Sequence, residues 1–230
     1  MKMKFLCYLL LCLVGGISAK GQLTNQHLFD TIGFISEHYG PRVEKFEKEP
    51  VVTGRIVFLG NSITEMGDWP ALTGDTTVIN RGIGGDITFG VLKRLDDITR
   101  RKPSKLFLLI GINDIGKDIP DTVIADNIRK IVTTIQQGSP DTKVYVQSIL
   151  PVNPDFPNFP QHYDKQRHVQ HTDAILPGIL KPLHCTFINL VPLFLDAKKR
   201  LDAQYTIDGL HLNKKGYGIW MNYLKKKGYL

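Results

Sequence analysis

The chain has 230 residues, of which 42% are apolar, 22% charged and 9% aromatic, and its formal charge is +7. That balance supplies one sizeable core and excludes a disordered tail, a collagen-like or heptad fibre and a disulfide-built miniprotein. A charge of +7 would suggest nucleic acid, but three of the lysines crowd the amino terminus.

In chain order, Lys2 and Lys4 precede an unbroken apolar run over residues 5–14, followed by Gly15, Gly16, Ser18, Ala19 and Gly21. A basic start, a short apolar stretch and small residues are the three parts of a secretory signal peptide. The run is shorter than the ~20 apolar residues of a spanning helix, which ranks a retained anchor second. A lipoprotein cysteine at Cys12 ranks third, because Leu13 and Val14 follow it and small residues do not precede it. Residues 1–21 are therefore read as a signal peptide and 22–230 as one domain. Losing Lys2, Lys4 and Lys20 lowers the charge to +4 and leaves Cys185 alone, so no intrachain disulfide is expected. This predicts a protein secreted or held in a bacterial periplasm, with no stable membrane insertion after cleavage and no nucleic-acid partner. Lys225, Lys226 and Lys227 read as a solvated helix face.

Residues 23–49 read as a helical arm. Leu28, Ile32, Ile35 and Tyr39 recur at helical spacing, and Gly40-Pro41 is expected to break it. Five apolar runs follow, at 55–59 (RIVFL), 77–80 (TVIN), 105–110 (KLFLLI), 143–150 (KVYVQSIL) and 186–191 (TFINLV). They lack strict alternation, as strands buried on both faces do. Helical patterns over 88–101, 121–137, 163–180 and 213–225 separate or follow them. The alternation predicts an α/β fold, a three-layer α/β/α sandwich of the flavodoxin-like kind with a central parallel five-stranded sheet. Sites in such sheets form beyond the carboxyl ends of the strands. The segment 151–160 (PVNPDFPNFP) reads as a stiff surface loop or as one wall of a substrate cleft.

Four polar blocks follow strand ends or return to them. In Gly60-Asn61-Ser62-Ile63-Thr64, Ser62 either presents its hydroxyl at the sheet edge or caps the next helix. Asn80-Arg81-Gly82-Ile83-Gly84-Gly85-Asp86 has glycines that expose backbone N–H groups. A phosphate loop would need Lys-Ser/Thr after the last glycine, where Asp86 stands, and the spacing also fails GxGxxG. In Gly111-Ile112-Asn113-Asp114, Asn113 either aims its amide into the cleft or closes an Asx-turn. In Asp208-Gly209-Leu210-His211, an aspartate three residues before a histidine can reach its Nδ1 and leave Nε2 free as a base.

Taken together, GNSIT, NRGIGGD, GIND and DGLH, in this order over residues 60–211, resemble the SGNH hydrolases, also called the GDSL esterase/lipase family. The NRGIGGD block looks most like bacterial relatives of the platelet-activating-factor acetylhydrolase catalytic subunit. The resemblance implies a flavodoxin-like sandwich and hydrolysis of carboxylic esters without cofactor or metal. It implies Ser62 as nucleophile, His211 as base and Asp208 as its orienting acid. It also implies an oxyanion hole of the Ser62 N–H, the Gly85 N–H and the Asn113 amide. Asn61 stands where the family has aspartate; the amide is nearly isosteric, so the turn should survive. The GxSxG pattern of α/β-hydrolases does not fit, since Thr64 occupies its second glycine.

Weaker candidates remain. His168 and His171, with Asp164 nearby, read as a polar helix face rather than a zinc site; Trp69, Phe89 and Phe156 read as core or loop packing, and Asp86 as a tether of the glycine loop. The expected substrate is a short acyl ester, an O-acetyl group on a carbohydrate. A lipid or lysophospholipid acylhydrolase is the alternative, and a non-catalytic glycan-binding descendant is the rival from another class.

Overall fold

The five apolar runs pair as five short strands of one sheet in a computed structural model that describes residues 37–230. The expected signal peptide and residues 23–36 of the expected arm lie outside the described residues. The strands are β1 (Ile56–Gly60), β2 (Ile79–Gly82), β3 (Lys105–Leu109), β4 (Lys143–Gln147) and β5 (Thr186–Ile188). Every pairing is parallel, in the order β2-β1-β3-β4-β5. The three-layer α/β/α sandwich expected from the sequence is the fold found.

Phe58, Phe107 and Tyr145 stand in register on β1, β3 and β4 and stack with ring centroids 4.9 and 4.8 Å apart. Trp69 stacks on Phe58 at 3.8 Å, and Trp220, on the helix α9 (Lys214–Lys226), meets Trp69 edge-on at 5.1 Å. Both tryptophans are fully buried, yet each indole N–H has a partner: Trp69 donates to Thr64 O and Trp220 to Gln147 Oε1. Burying those rings without partners would forfeit part of what their burial contributes. On the other side of the sheet lie α4 (Thr88–Lys93), α5 (Leu95–Arg101), α7 (Asp121–Gly138) and α8 (Gln166–Leu180). Helix α7 buries Ile124, Ile128, Ile131, Val132 and Ile135, the stripe its spacing predicts.

Several local expectations change. The strand expected at 77–80 lies at Ile79–Gly82, and the one expected over 186–191 ends at Ile188. Gly40-Pro41, expected to end a helix, lies in the first turn of α1 (Tyr39–Lys48). Proline fits there because first-turn N–H groups have no intrahelical acceptor. The single helix expected over 88–101 is two, parted at Arg94 (φ −122°, ψ 19°). The Arg94 guanidinium turns inward to Asp86 Oδ2, Arg81 O and Gly60 O, and the backbone bends to let it. The run expected as a strand to Leu150 leaves the sheet after Gln147, where Ile149 N–H donates to the Asp173 carboxylate instead of a neighbouring strand.

β2 is an edge strand, and such edges invite pairing with other chains. Arginines cover its carboxyl end: Arg42 donates to Gly82 O, Arg94 to Arg81 O and Arg81 to Asn80 O.

Candidate active site

All four polar blocks reach the carboxyl edge of the sheet. β1 ends at Gly60, where an added Cβ would lie 2.1 Å from Leu109 O and 2.4 Å from Thr64 Oγ1. Only glycine fits between β1 and β3 here. Asn61 then caps the short helix α2 (Ser62–Glu65), its Oδ1 accepting the Ile63 N–H at 3.0 Å. The turn therefore survives the exchange of carboxylate for amide, although the Asn61 Nδ2 is buried without a hydrogen-bond partner. Ser62 opens α2 directly above the sheet.

Asp208 to His211 form a tight turn with Gly209 at φ +87°. Asp208 Oδ1 accepts the N–H groups of Leu210 (3.0 Å) and His211 (2.7 Å), and Oδ2 lies 2.7 Å from His211 Nδ1. Partial burial raises the Asp208 pKa, but the hydrogen bonds from His211 and Leu210 outweigh it and hold the carboxyl below its ordinary value. An ionised Asp208 only accepts, so Nδ1 carries the proton and Nε2 presents its lone pair. His211 Nε2 is 2.9 Å from Ser62 Oγ. An imidazole so placed can take the hydroxyl proton as the oxygen attacks a carbonyl.

The glycine loop after β2 is tied down at every turn. Gly85 sits at φ +77°, where other residues are strained. The Gly84 N–H donates to Glu65 Oε2 at 2.6 Å, and that carboxylate also meets His38 and Arg42. Asp86 is buried against Arg94, which holds it at 3.0 and 2.8 Å while also binding the ends of β1 and β2. It tethers the loop, as expected. Asn113 makes no Asx-turn; its Nδ2 donates across to Asp86 O at 3.0 Å and its Oδ1 lies 3.3 Å from His162 Nε2. Asp114, fully buried, accepts from the Thr88 N–H at 3.0 Å and the Thr88 hydroxyl at 2.5 Å.

Burial pushes the Asp114 pKa up to about 7, against the pull of the Thr88 hydrogen bonds. An unfolded aspartate titrates near ~3.9. Between those values the folded chain holds a proton that the unfolded chain has lost, so this group's contribution to stability falls as pH rises. Asp114→Asn, which cannot ionise, should therefore show a shallower fall in Tm from pH 4 to 7 than wild type. Parallel melting curves across that range would refute the assignment.

The proline-rich segment is a wall of the cleft. Asn153 N–H donates to Gly209 O at 2.8 Å, and Phe156 packs where a Cβ on Gly209 would lie 2.9 Å away. Phe159 meets the His211 ring edge-on at 5.2 Å. His162, only 4% exposed, closes the far side of Asn113. No motif pointed to Phe159 or His162; the clustered prolines after β4 were the one available signal. Trp69 and Phe89 are core residues. His168 and His171 both face Asp121, at 3.0 and 2.7 Å, rather than Asp164. Among the described residues no group of three or more His, Cys, Asp or Glu side chains is arranged to hold a metal ion, and no helix is long and apolar enough to cross a membrane.

The profile of the GDSL-like lipase/acylhydrolase family matches residues 58–219. The platelet-activating factor acetylhydrolase IB subunit alpha1 of Pongo abelii is 27% identical over 190 residues, covering 80% of this chain and 78% of that one. A solved structure described as a putative platelet activating factor from Streptococcus pneumonia superposes with a TM-score of 0.74 at 29% identity, covering 90% of this chain and 97% of that one. An acetylxylan esterase from Geobacillus stearothermophilus shares the fold, with a TM-score of 0.59 at 16% identity over 78% of this chain and 97% of that one. Fold and kinship together define an α/β/α carboxylic-ester hydrolase. The chain belongs to the GDSL-like lipase/acylhydrolase family, the SGNH hydrolases.

Proposed function

We propose that the protein is an exported serine esterase that removes short acyl groups, acetyl above all, from a carbohydrate through the residues Ser62, His211 and Asp208. The observation that carries this reading is the unbroken chain of hydrogen bonds from Ser62 Oγ through His211 Nε2 and Nδ1 to Asp208 Oδ2, at 2.9 and 2.7 Å. Ser62 Oγ attacks the ester carbonyl while its proton passes to Nε2. The carbonyl oxygen becomes an oxyanion facing the Ser62 N–H, the Gly85 N–H and the Asn113 amide, donors that gain strength only as charge develops. Collapse breaks the bond to the alkoxy oxygen, which leaves with the proton from Nε2. Water, deprotonated by the same Nε2, then attacks the Ser62 acyl-enzyme, and that proton passes to Ser62 Oγ as the acid leaves.

Two features support a short acyl group. The relatives include an acetylhydrolase by name. The space behind Asn113 is filled by His162, which packs so tightly on Gly116 that a Cβ there would lie 2.7 Å from its Nε2. Export rests on the sequence of residues 1–21. One observation favours a lipid alcohol in place of the carbohydrate. Met66 and Ile207, the neighbours of Ser62's helix and of Asp208, are 49% and 54% exposed. Chromogenic esters of rising chain length, then acetylated sugars and an acetylated lysophospholipid, discriminate these readings. The expected order is acetate above butyrate above octanoate in kcat/KM, with acetylated sugar above lipid. A preference for octanoate would remove the short-acyl reading, and a preference for the lipid would move the alcohol assignment to the apolar rim.

A further inference from the structure

His162 belongs to none of the sequence blocks, yet its ring touches the one side-chain donor of the candidate oxyanion hole. It sits on a single 3-10 turn, Pro160–His162, that returns from the proline-rich segment. The ring is clamped between Gly116 and Phe159, whose ring centroid is 6.1 Å away at 76°.

The contacts around it point to Nε2 as the nitrogen that carries hydrogen. Asp86 O can only accept, so the Asn113 side-chain atom 3.0 Å from it is Nδ2. Asn113 Oδ1 then faces His162 Nε2 at 3.3 Å, and an acceptor requires that nitrogen to carry hydrogen. Burial first, then the charges of Lys165 and His211, push the His162 pKa down to about 4 against the Phe159 carbonyl. Near neutral pH the ring is therefore uncharged, with its only proton on Nε2. Nδ1 is buried with no partner at hydrogen-bonding geometry, so Asn113 Oδ1 is the acceptor at hydrogen-bond distance that a ring hydrogen meets. The contact between Nε2 and Asn113 Oδ1 is therefore the ring's one side-chain hydrogen bond.

We propose that His162 is a positioning residue, whose Nε2–H holds the Asn113 amide in the orientation that leaves its second Nδ2 hydrogen for the oxyanion. The proposal rests on the reading of Asn113 as an oxyanion donor. Terminal amide torsions are broad and weakly fixed by themselves. Asp86 O anchors one end of this amide and His162 the other. Without the second anchor, the amide can swing its oxygen toward the developing negative charge.

The test uses two polar replacements of similar size in the full-length chain. The amide nitrogen of His162→Gln reaches the place of Nε2, whereas that of His162→Asn stops near the place of Nδ1. His162→Gln should keep kcat on an acetyl ester within about 2-fold of wild type. His162→Asn should lower kcat about 10-fold with KM little changed, a part of the ~100- to 1,000-fold cost of losing a donor outright. In an Asn113→Ala background, His162→Asn should have no further effect, because a residue acting through Asn113 has nothing left to position. Tm measured for each variant separates packing from positioning. An equal loss in both backgrounds, or equal losses for Gln and Asn, would show a packing role and overturn the proposal. Wild-type kcat for His162→Asn would overturn it too. If Asn113→Ala itself retains activity, the oxyanion reading fails first and the proposal falls with it, a result distinct from the others.

Discussion

Ser62→Ala and His211→Ala should each lower kcat on an acetyl ester by about 10⁴-fold or more, and the double variant should be no slower than the worse single one. The two side chains share one proton transfer across the 2.9 Å contact between Oγ and Nε2. Once either is gone the other has no partner, so their effects do not add. Asp208→Asn should approach the same loss, because an amide that donates toward Nδ1 would favour the wrong tautomer of His211. None of the three should collapse the fold. Ser62 contributes one hydroxyl at the cleft floor, and the turn at Asp208 keeps an oxygen for the N–H groups of Leu210 and His211. A serine-directed phosphonate should label wild type at Ser62 and leave Ser62→Ala untouched. Hydrolysis near the wild-type rate by either single variant would remove the assignment.

Asn113 separates the oxyanion reading from a structural one. Asn113→Ala removes a donor and should cost about 100- to 1,000-fold in kcat. Asn113→Asp should be worse, since it places negative charge where negative charge must develop. In the ground state it also sets a carboxylate oxygen against Asp86 O, now bonded to Nδ2 at 3.0 Å. Its Tm should therefore fall as well, while Asn113→Ala melts closer to wild type. If both variants stay within a few-fold of wild type in kcat, the hole consists of the Ser62 and Gly85 N–H groups alone.

The sheet was legible because its central strands β1 and β3 are apolar on both faces. Runs such as RIVFL and KLFLLI can be buried only between two layers of helices, and glycines close after them mark where the chain must turn. The candidate site was legible for a related reason. Residues gathered at the ends of consecutive parallel strands are brought together by the sheet itself, whatever their separation in the chain. Ser62 and His211, 149 positions apart, meet in that way.

Other features depended on contacts that leave no periodic trace. The helical pattern over 88–101 continues through Arg94, but a buried carboxylate at Asp86 and two strand-end carbonyls draw its guanidinium inward and split the helix. Glu65 belongs to none of the sequence blocks, yet the fold places its Oε2 2.6 Å from the Gly84 nitrogen. His162 and Phe159 lie in a loop whose path is set by proline geometry and by the Asn153 N–H bond to Gly209 O, neither of which the residues' own identities reveal. The sequence by itself thus determined the layers and the strand-end blocks, because these follow from local burial patterns and short spacings, while the ester chemistry of those blocks came from their resemblance to the SGNH hydrolases. The tertiary structure alone decided that Glu65 and Arg94 hold the glycine loop, which way the Asn113 amide faces and that Phe159 and His162 stand beside the site, because each depends on a partner distant in the chain.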